Sequence, residues 1–164
     1  MRLFLMLYTM FVLIGCDGST RFKNYSGPQV TQVLVDKKAR KMWLLNGKKV
    51  LKKYNIALGF SPTGHKFREG DGRTPEGVYR IDRRNPNSTY HLSIGISYPN
   101  TRDIAKARIA GVSPGGDIFI HGGPILHANK NKVDWTAGCI AVTDREMEEI
   151  YAMVKFGTPI LIKP

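Results

Sequence analysis

Short runs of apolar and β-branched residues, separated by turn signals, dominate the chain from residue 29 onward. Residues 30–35 (VTQVLV) and 41–45 (KMWLL) have the composition of strands. Asn46-Gly47 then predicts a tight hairpin into a third strand over residues 48–58, because both turn residues tolerate positive φ. Further strands or strand entries are predicted at residues 74–81, 90–98, 118–120, 140–142 and 158–162. The pattern indicates a protein built mainly from strands.

Two stretches have helical character. Thr143 and Glu146 form a capping-box pattern, in which the hydroxyl meets an amide three residues on and the carboxylate reaches back. The apolar residues that follow recur at i, i+3, i+4 and i+7 and give one buried face: Met147, Ile150, Tyr151 and Val154. Residues 101–110 predict a second short helix. Because the strand–helix alternation of a parallel sheet is absent, we expect a mainly β fold, an antiparallel sandwich or barrel-like sheet with about two short helices.

The beginning of the chain has the character of an export signal. Met1 and Arg2 are a short basic start, and the almost wholly apolar residues 3–14 are too few for a membrane span, which needs about 20. The stretch ends in Gly15-Cys16, which resembles a bacterial lipoprotein box with Cys16 as the lipidated residue. Asp17 resembles an inner-membrane retention signal of Gram-negative lipoproteins. A plain secretory signal or an uncleaved anchor is the alternative.

These features divide the chain into three parts: a lipoprotein-type signal peptide (residues 1–15), a tether (16–28) and one folded domain (29–164). The formal charge of +12 favours an anionic partner, and export argues for cell-wall polymer or phospholipid and against nucleic acid. Cationic residues crowd the first strands, where they guard a solvated sheet edge or contact an anionic surface: Lys37, Lys38, Arg40, Lys41, Lys48, Lys49, Lys52 and Lys53.

A histidine and a cysteine carry the candidate chemistry. His121 ends one predicted strand and Cys139 begins another, with 17 residues between them. If the strands are adjacent, a thiol meets an imidazole, which is the minimum apparatus for covalent acyl transfer. Gly138 lets the backbone approach a substrate, so its amide is a candidate oxyanion donor. The backbone carbonyl of Gly122 is a candidate to orient the imidazole.

Other interpretations of these residues stay open at this point. A lone buried cysteine is commonly an inert small hydrophobe, and a histidine at a strand end is commonly a hydrogen-bonded surface residue. A metal site would draw on His91, His121, His127 and Cys139. The sequence holds no HExxH or CxxC spacing, so we predict no metal and no cofactor. His127 is a rival base, ranked below His121 because it lies in a polar loop.

Two motifs give the chain a family resemblance. His121-Gly122, a spacer and then Thr136-x-Gly138-Cys139-Ile140 resemble the signature of the L,D-transpeptidase catalytic domain, the YkuD-like family. Residues 74–79 (TPEGVY) match that family's TPxGxY element, and the resemblance covers roughly residues 30–163. Ala137 stands where the family usually has histidine, and Ala141 where asparagine or arginine is common. The DWT form of the motif resembles a short periplasmic or lipid-anchored branch.

The resemblance implies cysteine acyl transfer on peptidoglycan stem peptides, with Cys139 as nucleophile and His121 as proton acceptor and donor. Transpeptidation through a thioester is expected. Hydrolysis of a stem peptide or of a bond between the wall and a lipoprotein is the alternative, and a non-catalytic wall-binding lipoprotein is a further one. The implied setting is the periplasmic face of the inner membrane. Candidate substrate contacts are Tyr90, His91, Tyr98, Trp135 and Thr136, with Arg73, Arg80, Arg83 or Arg84 for carboxylates.

Overall fold

The computed structural model describes residues 21–123 and 134–164, which contain eight strands and two helices. The strands are β1 (Gln32–Asp36), β2 (Lys41–Asn46), β3 (Lys49–Asn55), β4 (Gly77–Asn85), β5 (Ser93–Ile96), β6 (Phe119–His121), β7 (Ile140–Ala141) and β8 (Pro159–Lys163). The helices are α1 (Thr101–Ile109) and α2 (Asp144–Met153). Within these ranges, neither helix has the length and apolar character needed to cross a bilayer.

The strands form one sheet in the order β3-β2-β1-β8-β4-β5-β6-β7. The prediction of a mainly β fold with two helices is confirmed. Five of the seven strand pairs are antiparallel, and the pairs β1/β8 and β6/β7 are parallel. Parallel neighbours need a long crossover, and the chain between β6 and β7 is long enough to return to the start of its neighbour. The parallel β6/β7 pair lies at the edge of the sheet that carries His121.

Helix α2 begins where the sequence predicts. The Thr143 Oγ1 accepts the Glu146 amide at 3.2 Å, and the Glu146 carboxylate accepts the Thr143 amide at 2.9 Å. Met147 and Ile150 on its apolar face have no exposed surface. The helix contacts β5 and β6. It therefore supports the strand that ends in His121.

The structure corrects the prediction for one of the cationic residues expected at the solvated edge. Lys37 is buried, with 2% of its surface exposed. Its ammonium donates to the carbonyls of Gly64 and Thr74 at 2.6 and 2.9 Å and to the Glu76 carboxylate at 2.7 Å. Three acceptors offset the desolvation of the charge. Lys37 therefore ties the end of β1 to the TPEG segment and is not part of the cationic surface.

The packing of α2 gives a stability prediction. We expect Ile150→Ala to lower the free energy of unfolding by about 3 kcal/mol, because it leaves a cavity in a fully packed core. Ile109→Ala on α1 is the matched control, since Ile109 is 89% exposed and its truncation should change stability little. Urea unfolding of both variants measures the difference. Equal losses for the two would mean that α2 is not packed as described.

Candidate active site

His121 and Cys139 come together through the parallel pairing of β6 and β7. Ile120 is the register partner of Ile140, and Cys139 directly precedes β7. Extending this register places Cys139 opposite Phe119, so its side chain shares a face with Phe119 and His121. Strand geometry sets the Cα atoms of His121 and Cys139 about 8 Å apart. Both residues line one cleft of about 270 Å³, with Asn85, Ser88, Thr89, Tyr90, Ser93, Asp117 and Phe119.

The Cys139 sulfur lies against the backbone of the strand before His121. Its Sγ accepts the Phe119 amide at 3.4 Å and donates to the Asp117 carbonyl at 3.5 Å. The residue is partly exposed. Burial raises the pKa of the Cys139 thiol, and the hydrogen bond from the Phe119 amide opposes that shift only in part. Cys139 is therefore a neutral thiol in its resting form, and it lines the cleft.

His121 is held by the turn that follows it. Its Nδ1 donates to the Gly122 carbonyl at 2.5 Å, so that Nε2 is the nitrogen with the free lone pair. The next amide, Gly123 N–H, donates to the Asp144 carboxylate at 2.6 Å, which fixes the turn against the start of α2. Burial lowers the pKa of His121, and the hydrogen bond to Gly122 opposes that shift only in part. His121 is thus a neutral, oriented imidazole able to accept a proton.

Two of the predicted substrate contacts surround this imidazole. The Tyr90 ring lies 4.6 Å from the His121 ring, tilted by 32°. The Trp135 ring meets His121 edge-on at 5.8 Å and lies 6.1 Å from Tyr90. Tyr90 is 44% exposed and lines the cleft, so it faces both the imidazole and solvent. These aromatic rings contribute to the burial that keeps His121 neutral.

A tight turn delivers Cys139 to the cleft. Gly138 has a φ of +138°, and a Cβ there would lie 2.8 Å from the Arg73 carbonyl oxygen, so only glycine fits. Thr136 Oγ1 donates to the Cys139 carbonyl at 2.7 Å and accepts the Gly138 amide at 3.2 Å. The sequence argument treats the Gly138 amide as open to a substrate, whereas here it already has an acceptor. In the described ranges, the Cys139 amide of this turn has no such acceptor.

Two further predicted substrate contacts, His91 and Tyr98, are not among the described residues that line the cleft. His91 has a φ of +68°, and its Nε2 lies 3.1 Å from the Glu148 carboxylate on α2. Tyr98 is buried, and its hydroxyl donates to the Pro114 carbonyl at 3.0 Å. Each side chain therefore has a hydrogen-bond partner outside the cleft lining, which its strand-like sequence context did not predict.

Sequence reasoning also missed the residues that anchor the Cys139 segment. Arg40 Nη2 donates to the Asp134 carboxylate at 2.7 Å, and Arg40 Nε adds bonds of 3.0 Å to both oxygens. Asp134 Oδ1 also accepts the Leu58 amide at 3.0 Å. Asp134 is therefore fixed five residues before Cys139. No local signal links Arg40 to a carboxylate 94 positions away.

Three further predicted features concern a metal ion, a second candidate base and a lipid. In residues 21–123 and 134–164, no group of three or more histidine, cysteine, aspartate or glutamate side chains is placed to hold a metal ion. His127, the rival base, lies outside the described residues, as does the predicted lipidation site Cys16.

The neutral thiol predicts how Cys139 responds to an alkylating agent. Iodoacetamide reacts with the thiolate, so the alkylation rate of Cys139 should still be rising above pH 8.5, the ordinary pKa of a cysteine thiol. Peptide mass spectrometry across pH 5 to 10 separates Cys139 from Cys16, and Cys139→Ser is the blank. A plateau already reached below pH 7 would instead reveal a preformed thiolate–imidazolium pair.

Comparisons with known proteins place this geometry in a family. Residues 31–162 match the sequence model of YkuD, the L,D-transpeptidase catalytic domain. YafK of Escherichia coli K12, provisionally named an L,D-transpeptidase, is 28% identical over 162 residues, covering 90% of this chain and 60% of YafK. The chain thus spans about 60% of the length of the curated relatives it matches.

Solved structures agree with this assignment. The helical cell shape determining protein Pgp2 of Campylobacter jejuni is 27% identical with a TM-score of 0.63, over 90% of this chain and 53% of Pgp2. Bd1075 of Bdellovibrio bacteriovorus is 26% identical with a TM-score of 0.57, over 82% of this chain and 48% of Bd1075. An L,D-transpeptidase from Mycobacterium smegmatis, 15% identical with a TM-score of 0.55 over 82% of this chain and 59% of its own, shares the fold. The chain belongs to the YkuD family of L,D-transpeptidase catalytic domains.

Proposed function

We propose that this chain is a cysteine acyltransferase that performs L,D-transpeptidation on peptidoglycan stem peptides through a thioester on Cys139. The observation that carries the proposal is the shared cleft of Cys139 and His121, in which Gly122 fixes the imidazole tautomer. A histidine oriented in this way, in the same cleft as a thiol, supplies the two groups from which an activated cysteine nucleophile is built. Membership of the YkuD family supports the same reaction class.

The reaction begins with a proton transfer. As a substrate enters, His121 Nε2 takes the thiol proton while Sγ bonds to the carbonyl carbon of the diamino acid at stem position three. The carbonyl oxygen becomes an oxyanion, and the Cys139 amide is the nearest donor without an acceptor. The Gly138 amide becomes a second donor only if its hydrogen bond to Thr136 Oγ1 breaks. The intermediate collapses when His121 returns the proton to the amine of D-alanine, which departs and leaves the thioester.

The second half-reaction decides between transferase and hydrolase. An amine of a neighbouring stem attacks the thioester to form a crosslink, and its proton passes through His121 to the Cys139 sulfur. Water attacking in the same way releases a tripeptide. Hydrolysis of a stem peptide is the alternative to crosslinking, and the same Cys139–His121 pair would serve both reactions.

The proposed setting follows from the start of the chain. Export, with a lipid on Cys16, would hold the domain at the periplasmic face of a membrane, where stem peptides and wall-linked lipoproteins are within reach. The supporting feature is the sequence itself, an apolar run that ends in Gly15-Cys16. The charge of +12 favours residence beside anionic lipid and wall polymer.

Product analysis tests the proposed activity. The full-length protein, incubated with tetrapeptide muropeptides, should yield crosslinked dimers or tripeptides, identified by mass spectrometry. Cys139→Ala should abolish both products, because the thioester cannot form. Cys16→Ser is the matched control, since it removes the other cysteine and should leave the products unchanged. If the wild-type protein binds muropeptides without converting them, it is a wall-binding lipoprotein and not an enzyme.

The buried imidazole predicts the pH dependence of the first half-reaction. Burial lowers the pKa of His121, so the base stays unprotonated to a lower pH than an ordinary histidine, whose pKa is about 6.5. Protonation removes the base, so kcat/KM for D-alanine release should fall as the pH decreases, with its midpoint below 6.5. A midpoint clearly above 6.5 would show that another group titrates.

A further inference from the structure

The structure distinguishes the four arginines that were candidates for substrate carboxylates. Arg80 Nη1 donates to the Gly157 carbonyl at 3.1 Å, away from the cleft. Arg84 donates to two backbone carbonyls at the end of α2 and stacks over an aromatic ring of that helix at 4.0 Å. The Arg73 guanidinium lies near Gly64. Only Arg83, among these four, reaches residues that line the cleft.

Arg83 reaches the cleft along a row that crosses three strands. Arg83 on β4 pairs with Gly95 on β5, and Gly95 pairs with Phe119 on β6. A bulge precedes Arg83, and a Cβ on Gly95 would lie 2.8 Å from the Arg83 Nε. The missing side chain therefore lets the guanidinium lie across β5. Its Cζ sits 4.6 Å from the centre of the Phe119 ring, and the Phe119 amide contacts the Cys139 sulfur.

Asp117 completes a charge pair at the cleft. Arg83 Nη1 lies 2.8 Å from Asp117 Oδ1, and Arg83 Nε lies 3.3 Å from the neighbouring Asp82 Oδ1. The Asp117 carbonyl accepts from the Cys139 sulfur at 3.5 Å. The Asp117 side chain is 84% exposed and that of Arg83 is 43% exposed. The second carboxylate oxygen and the second terminal nitrogen have no partner in the described part of the chain. A pair as exposed as this contributes little to the stability of the fold.

We propose that Arg83 and Asp117 select donor stems whose third residue carries both an amine and a carboxylate at its distal end. Arg83 binds the distal carboxylate, and Asp117 binds the distal ammonium. In a diaminopimelate residue, the distal carbon lies roughly 6 Å from the reacting carbonyl carbon in an extended chain. A distance of this size is compatible with a thioester on Cys139, because the Cys139 sulfur contacts the backbone of Asp117 and Phe119 directly. The proposal rests on the proposed acyl transfer and names the stem that this cleft accepts.

Three tetrapeptide stems test the distal carboxylate and the distal amine of the third residue one at a time. One carries diaminopimelate at position three, one carries lysine and so lacks the distal carboxylate, and one carries 2-aminopimelate and so lacks the distal amine. We expect the wild-type protein to release D-alanine from the diaminopimelate stem with kcat/KM about tenfold above that for either of the others, the size of one solvent-exposed charged hydrogen bond.

Substitutions assign the two preferences to residues. Arg83→Gln should lower kcat/KM about tenfold for the diaminopimelate stem and leave the lysine stem unchanged. Asp117→Asn should remove the preference over the 2-aminopimelate stem. Arg80→Gln is the matched control, because it removes the same charge from the same strand outside the cleft. Equal losses on all stems, or no preference in the wild-type protein, would overturn the proposal.

A binding measurement tests the proposed selectivity independently of the proposed activity. Titration calorimetry on Cys139→Ala measures affinity without turnover. If the diaminopimelate stem binds about tenfold tighter than the lysine stem, and Arg83→Gln removes the difference, the selectivity stands even where the wild-type protein converts no stem. Equal affinities for the two stems refute the selectivity even where the enzyme is active.

Discussion

The parallel pairing of β6 with β7 is the constraint on which the candidate site depends. It is short, with Ile120 opposite Ile140 and His121 opposite Ala141. The segment that follows β3 holds this pair from the other side, since Ala57 and Ala141 exchange two backbone hydrogen bonds of 2.9 Å. A slip of one residue in this register would turn the Cys139 side chain to the opposite face of the sheet. The chemistry of the cleft is therefore a consequence of strand register, which burial of Ile120 and Ile140 enforces.

The same burial sets the electrostatic character of the pair. Packing the imidazole beneath aromatic rings and the sulfur against backbone favours the uncharged form of each group. The resting site thus places an uncharged thiol and an uncharged imidazole in one cleft. Charge near the cleft is carried by the exposed pair of Arg83 and Asp117. The proposed function uses this division, because it needs an uncharged pair for a neutral amide carbonyl and charged groups for a charged side chain.

Patterns local in the sequence gave the features that local interactions determine. Strand composition, the Asn46-Gly47 turn and the capping box at Thr143 each act within a few residues, and the structure has all three. The spacing of His121 and Cys139 identified two residues that the fold brings to one cleft. The strand composition, the turn and the cap need only interactions within a few residues, whereas the shared cleft also depends on the pairing of β6 with β7.

Features that depend on contacts between residues far apart in the chain were not predictable from local sequence patterns. The parallel β1/β8 pair arises because β8 inserts between β1 and β4, two strands far from it in the chain. Buried Lys37 depends on three acceptors that lie 27 to 39 positions away. His91 has a left-handed backbone conformation, which its residue type does not predict. The choice of Arg83 among four arginines rests on Gly95, a gap in a neighbouring strand.

Trapping the acyl-enzyme tests the central claim most directly. The full-length protein is mixed with a tetrapeptide stem, quenched in acid within seconds and analysed by intact and peptide mass spectrometry. The account predicts a covalent tripeptidyl adduct on the peptide that contains Cys139, together with one released D-alanine for each adduct. Release of D-alanine with no adduct at any stage, or an adduct on a different residue, would contradict it.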